Sequence, residues 1–377
     1  MGQAYSSTPT IYRANLQRTG RFETRGLHRI KGLKWAFNIT DHIDPNTSVP
    51  ENEDNKWIRS TPIIVDDTLV FGTGTGHFIC VDISSGKLRR SVVVEGSISS
   101  AVTVIGEHAY VNHNGLSVIK YDGGQTLWHQ PISTTNSSPT VSDKIIYIGT
   151  MNGLVAFNIT DGHLIWRSET QTPVYCTPAI SDGVIVYGRK GFDGSCLYAD
   201  AATSGRSIWR FNFSPGKSST IAATPVIVEC RVFFKSRDGN LYAIDLETGR
   251  ELWRNSNDFR ENSSPTFIDN ILLSNNSNGT LFAVDTRTGQ SIWTFDMAEY
   301  RLRYTGETDW SNSSNYFSPI SADGCVYSAC GNILFGIDMK TGQELWHYIY
   351  SAPINAVTIY DGVVYCGAEN GCLVALE

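Results

Sequence analysis

Two stretches of the chain gather side chains suited to holding a ligand. Thr40 to Arg59 carries Asp41, His42, Asp44, Glu51, Glu53, Asp54, Trp57 and Arg59; Met297 to Asn315 carries Glu299, Tyr300, Arg301, Arg303, Tyr304, Glu307, Asp309 and Trp310. Tryptophan beside tyrosine and arginine is the composition of a contact hot spot, since each buries a large area while keeping a polar handle. Two readings stay open for Trp57 and Trp310: they touch a partner, or they pin long loops against the fold. Arg189, Arg237, Asp238 and Glu369 lie in shorter turns, where they either line a binding mouth or face solvent.

More specific chemistries lack their spacing. The carboxylates of the first stretch could hold calcium, but the D-x-[DN]-x-[DN]-G loop is missing. The eight histidines form no cluster in sequence, and His108 and His113, five apart across an expected strand, fall on opposite faces. No H-E-x-x-H, C-x2-C or G-x-S-x-G occurs. The Gly72 to Gly76 run precedes a strand rather than a helix, so it reads as a hairpin turn and not a phosphate cradle. No catalytic residue, metal ligand or cofactor is therefore assigned. The eight cysteines are expected as buried free thiols, with disulfides such as Cys366 to Cys372 as the alternative.

The elements that must position these residues announce themselves by repetition. One phrase recurs as Ala243-Ile-Asp245-Leu-Glu-Thr248-Gly249-Arg-Glu-Leu-Trp253, again around Asp285, Gly289 and Trp293, and again around Asp338, Gly342 and Trp346. Weaker copies keep Gly124 with Trp128, Gly162 with Trp166, and Gly205 with Trp209, where Asp200 is displaced by one residue. The first copy keeps Asp82 and Gly86 but has Arg90 in the tryptophan position. The glycines are spaced by 38, 38, 43, 44, 40 and 53 residues, a period that marks propeller blades. Between them run short β-branched and aromatic strands separated by turn residues, which predicts four-stranded antiparallel blades and an all-β fold. Glycine permits the positive backbone angle of the turn, Asp can accept from its amides, and Trp buries its ring between blades.

The ends predict how the ring closes. The final segment supplies three strands and stops where the Thr-Gly turn would begin; residues 32–39, containing Trp35, supply the fourth. Seven complete repeats plus one shared between the termini predict eight blades without an open edge in the ring. The chain is expected as a single domain over 1–377, with a lead-in at 1–31 and inserted loops at 40–59 and 297–315.

Thirty-seven acidic against thirty basic residues give a formal charge of −7, the wrong sign for a groove that must displace counterions from nucleic acid. No run reaches the ~18 apolar residues of a membrane helix. The opening lacks the pattern of a secretory signal, so a cytoplasmic location is expected, with a periplasmic or secreted one if a signal has been removed. Met1-Gly2-Gln3-Ala4-Tyr5-Ser6 also fits the N-myristoylation pattern.

These repeats, together with the lead-in Arg13-Ala-Asn-Leu-Gln-Arg18-Thr19-Gly20, resemble the pyrroloquinoline-quinone-type repeat propellers with their tryptophan-docking motif. The resemblance implies the propeller fold. Its enzyme branch implies a quinone and calcium held by carboxylate and Asn ligands, with an Asp base and often a disulfide between adjacent cysteines, which this chain does not have. Its non-enzymatic branch, similar in size and blade number, implies a scaffold. The expectation is a non-catalytic, monomeric propeller that binds a protein or peptide partner through its loop-rich face. A quinone- or metal-dependent oxidoreductase, or a small-ligand or glycan sensor, is the alternative.

Overall fold

The computed structural model describes residues 12–42, 55–168, 172–189, 196–213, 221, 223–259, 263–305 and 317–377. Short strands alternating with Gly- and Asn-rich turns pair with their sequence neighbours, and the result is eight blades of four antiparallel strands, one of them extended by a short parallel fifth strand. The first is Ile63–Val65, Thr68–Gly72, His77–Asp82 and Leu88–Val93, running from the ring axis outward. Blades two to seven repeat this order, with inner strands Thr103–Ile105, Thr140–Ser142, Ala179–Ser181, Val226–Val228, Thr266–Ile268 and Ile320–Ala322.

The eighth blade joins the two ends of the chain. Its inner three strands are Ile354–Tyr360, Val363–Ala368 and Cys372–Leu376, and its outer strand is Leu33–Asn38, paired antiparallel with Cys372–Leu376. The anticipated closure is therefore present, with Trp35 opposite Ala375.

A sheet covered on both faces should be apolar along its whole length, and the second strands are: Thr68–Gly72, Ile145–Thr150 and Cys325–Cys330 are buried throughout. Outer strands alternate, as Leu88–Val93 does. The core is accordingly a series of layers between neighbouring blades; Val186, Leu197 and Trp209 of the fourth, for example, pack on Val232, Phe234 and Ile244 of the fifth.

The repeated motif is the joint between those layers. Gly249 has φ +69°, and a Cβ there would lie 2.7 Å from the ring of Trp209 in the preceding blade. The indole Nε1 of Trp209 donates to the carbonyl of Leu246 at 2.7 Å, and Trp166, Trp253, Trp293 and Trp35 repeat the bond to Ala202, Thr286, Met339 and Ile83. Trp346 finds its carbonyl on Leu27, because the last blade has no Thr-Gly turn to offer. Trp128 lies on Gly162. The carboxylates of Asp245, Asp338 and Asp82 accept from the hydroxyls of Thr248, Thr341 and Ser84 with Ser85, and these three and Asp285 accept from turn amides at 2.8 Å, which lowers the pKa of each. Asp200 departs from this pattern: it is buried, accepts the Tyr187 hydroxyl at 2.6 Å, and leaves its turn station to Ala201.

Each pairing of third and outer strands slips by one residue immediately before the tryptophan. The bulged residue is turned outward, which explains why Leu127, Ile165, Ile208, Leu252, Ile292 and Leu345 are all exposed.

One insertion differs from expectation. Met297–Thr305, read as part of a loop, is an α-helix (α1). Asp296 accepts from the amide of Ala298, Glu299 pairs with Arg303 one turn on at 2.8 Å, and Tyr300 packs on Phe295 and Phe335. The eight cysteines are free thiols.

Candidate functional site

Six of the inner strands are introduced by a residue with a side-chain hydroxyl, and these residues surround the ring axis. The amide of Ala101 donates to Ser138 Oγ, Ser138 N to Thr177 Oγ1, Thr224 N to Ser264 Oγ and Ser264 N to Ser318 Oγ, all between 2.8 and 3.1 Å. Each bond links one blade to the next. They line a funnel of about 560 Å3 together with Thr61, Ser97, Ser99, Asn136 and Asn355, and with the rings of Trp57, Tyr175 and Phe317.

The funnel is blind. The lead-in crosses the axis, where carbonyls of Leu16, Gln17, Thr19 and Gly20 accept from Ile180, Ile227, Phe267 and Ser321 on four successive inner strands. Arg21–Phe22 then runs parallel to Ile320–Ala322. Tyr12, Arg13 and Phe22 line both this funnel and a second chamber of about 640 Å3 on the far side.

Two buried arginines fasten the lead-in. Arg18 donates to Pro178 O, Tyr12 O and Thr140 Oγ1, tying the third and fourth blades. Arg13 donates to Arg18 O, Pro265 O and Thr266 Oγ1, and Thr266 in turn donates to Pro319 O, tying the sixth and seventh. Burial lowers both guanidinium pKa values, that of Arg18 to about 9. Sequence reasoning gave these arginines no role. Their signal was the recurring Ser/Thr-Pro before inner strands, whose carbonyls they reach.

Of the anticipated contact residues, the structure brings three together at the funnel. Arg59 stacks over Trp57 at 4.6 Å and forms a two-pronged ion pair with Glu369, at 3.0 and 3.3 Å. Trp57 is buried and closes on Gly74, where a Cβ would lie 2.6 Å from its ring; it serves as a pin as well as a wall. The others are dispersed. Arg189 is buried at the end of its strand over Tyr198, and its Nε and Nη1 have no hydrogen-bond partner among the described residues. Arg237 is exposed, while Asp238 accepts from Tyr242 Oη at 2.6 Å. Arg301 is buried beside Gly331; Arg303 and Tyr304 lie on α1, with Tyr304 5.1 Å from the His347 ring. Asp309 and Trp310 lie outside the described residues.

The histidines are closer than their spacing suggested. His113 and His129 stack at 5.2 Å with Ser117 between them. His113 Nδ1 must donate to Glu95 O (2.7 Å), so Nε2 accepts from Ser117 Oγ (2.7 Å), which accepts from His129 Nδ1 (3.0 Å). Third- and outer-strand pairing made the neighbours, a relation that sequence separation hides.

A quinone with calcium would need carboxylate oxygens around the metal. Among the described residues, those lining the funnel include no Asp or Glu, Glu369 being turned to Arg59, and there is no group of three His, Cys, Asp or Glu that could bind a metal. The residues present do not fit that pair.

The profile of a repeat family described as outer membrane protein assembly factor BamB matches residues 35–173, 115–196 and 193–377. The chain belongs to this family. Among curated relatives of this PQQ-repeat member, BamB of Yersinia pestis is 32% identical over 171 residues, 42% of this chain and 43% of that protein. BamB of Moranella endobia is 26% identical over 296 residues, 73% of this chain and 71% of its own. The match thus spans less than half of the first relative and about seven tenths of the second. Among solved structures, BamB from Moraxella catarrhalis superposes with a TM-score of 0.69 at 14% identity, covering 92% of this chain and 99% of that one. A quinohemoprotein alcohol dehydrogenase from Pseudomonas putida gives 0.75 at 12% identity, covering 97% and 79%. At such identities these likenesses concern the fold.

Proposed function

We propose that the protein is a non-catalytic scaffold whose loop-rich face binds a protein or peptide partner. The observation that carries this reading is α1. The blades close without it, yet Tyr300 fixes it against Phe295, Phe335 and His347, and its outward residues Leu302 and Tyr304 are 52% and 46% exposed beside Arg303. Burying an apolar and an aromatic side chain flanked by an arginine is what a partner surface offers. Kinship with proteins named as assembly factors supports the same reading, and the funnel's donor set speaks against the oxidoreductase one.

The test places a photo-crosslinking residue at position 302, and in a control at exposed Leu164 on an outer strand. A discrete adduct from 302 alone, lost in Tyr304→Asp, supports the scaffold. Saturable calorimetric binding of pyrroloquinoline quinone plus calcium would favour the enzyme instead.

A further inference from the structure

We infer that the funnel is a site for a carboxylate-bearing ligand, with the Arg13 guanidinium at its blind floor as the partner of the anion and the wall hydroxyls as partners of the ligand's polar body. The inference does not depend on what α1 binds.

Charge is the first observation. Among the described residues neither Arg13 nor Arg18 has a carboxylate partner; their bonds go to carbonyls, to Thr140 and to Thr266. Two positive charges therefore sit uncompensated at the axis of a chain whose formal charge is −7. A buried cation that has shed its water gains most from an anion brought to it.

Unmet hydrogen bonds are the second. Arg13 is 3% exposed, and its Nη1 is buried with no partner among the described residues. On the same wall Ser100 Oγ and Asn355 Nδ2 are also buried and unpartnered. Buried polar atoms normally find a partner, so three around one cavity mark where a ligand's polar atoms belong.

The wall itself is the third. Its described lining is hydroxyls, amides and two arginines; Arg59 is already paired with Glu369, which leaves Arg13 as the lining cation without a carboxylate partner among the described residues. Its volume of about 560 Å3 is that of a small-ligand pocket. Because the lead-in closes the far side, a ligand enters end first. Two sources present a carboxylate this way: a small hydroxy acid, or the free C-terminus of a peptide.

The experiment is isothermal titration of the full chain with matched acid and neutral probes. D-gluconate is compared with sorbitol, and the tetrapeptide Ser-Gly-Ser-Gly as free acid is compared with its C-terminal amide. The inference expects one acid to bind at least tenfold more tightly than its neutral counterpart; which pair responds identifies the source. Asn355→Leu, on the wall and away from the lead-in's anchors, should weaken that acid by several-fold while the chain stays folded by circular dichroism. Arg13→Met, if it folds, should abolish the acid preference. Equal binding of acid and neutral probes, absence of binding by both acids, or an acid preference that survives in folded Arg13→Met overturns the inference.

Discussion

Arg90 donates from its guanidinium to the carbonyl of Tyr121, the station that an indole N–H occupies in neighbouring blades. Its guanidinium also lies 6.0 Å from the Tyr121 ring, and Val92 fills the space over Gly124 where a tryptophan would lie. The one complete copy of the repeat without its tryptophan thus keeps the inter-blade bond by other means.

Arg90→Ala should therefore destabilise the ring by about 1–3 kcal/mol, the cost of losing a charge-assisted bond to a buried carbonyl. Arg90→Trp should cost less, since an indole restores the donor. Urea midpoints of the two variants decide it; a lower midpoint for the tryptophan variant would show that Val92 leaves no room.

Gly249 and Gly324 share a positive φ, +69° and +73°, but only Gly249 meets a neighbour, the Trp209 ring; nothing lies within 4 Å of a Cβ at Gly324. Gly324→Ala should cost about 1 kcal/mol, from backbone strain alone. Gly249→Ala should add roughly 1–3 kcal/mol of overpacking. Melting temperatures of the pair separate the two contributions.

Arg18→Ala removes donors to Pro178, Tyr12 and Thr140 at once and leaves a void at the axis. A loss of about 3 kcal/mol is expected, as for other breaks in a buried polar network. Hydrogen exchange should locate the loosening at Ile180 and Ile227, whose amides bond the lead-in.

Burial and the neighbouring His129 hold the His113 imidazole below the ordinary histidine range, and burial does the same to His77. A base whose folded pKa is depressed is neutral in the fold. The unfolded chain then binds more protons, and stability falls as pH drops below the unfolded value of about 6.5. Protonated His113 would also turn an acceptor towards Ser117 into a donor. His113→Gln should flatten the decline in melting temperature between about pH 6.5 and 5.

Trp57→Ala should lower stability by about 3–5 kcal/mol, because the ring is buried over Gly74. Glu369→Gln weakens the ion pair with half-exposed Arg59, so thermal melts should move by about 1 kcal/mol or less.

The blades were legible because their period is local: glycine, aspartate and tryptophan stand at fixed offsets, and each does its work on the turn it belongs to or on the next blade. Closure was legible from what the last repeat lacked. The site was less so. Ser117 and the two histidines meet through strand pairing, and α1 hides in an insertion whose helical signal is a single Glu299–Arg303 pair and one cap at Asp296. The lead-in arginines reach residues 160 and 253 positions away, a distance at which spacing carries no information.

The seam between Leu33–Asn38 and Cys372–Leu376 has a consequence during synthesis. Leu33–Asn38 must wait, unmatched and partly apolar, until Cys372–Leu376 has been made. Assembly of the ring is thereby tied to synthesis of a strand more than three hundred residues downstream. A truncated product exposes a sticky border, which invites self-association or a chaperone.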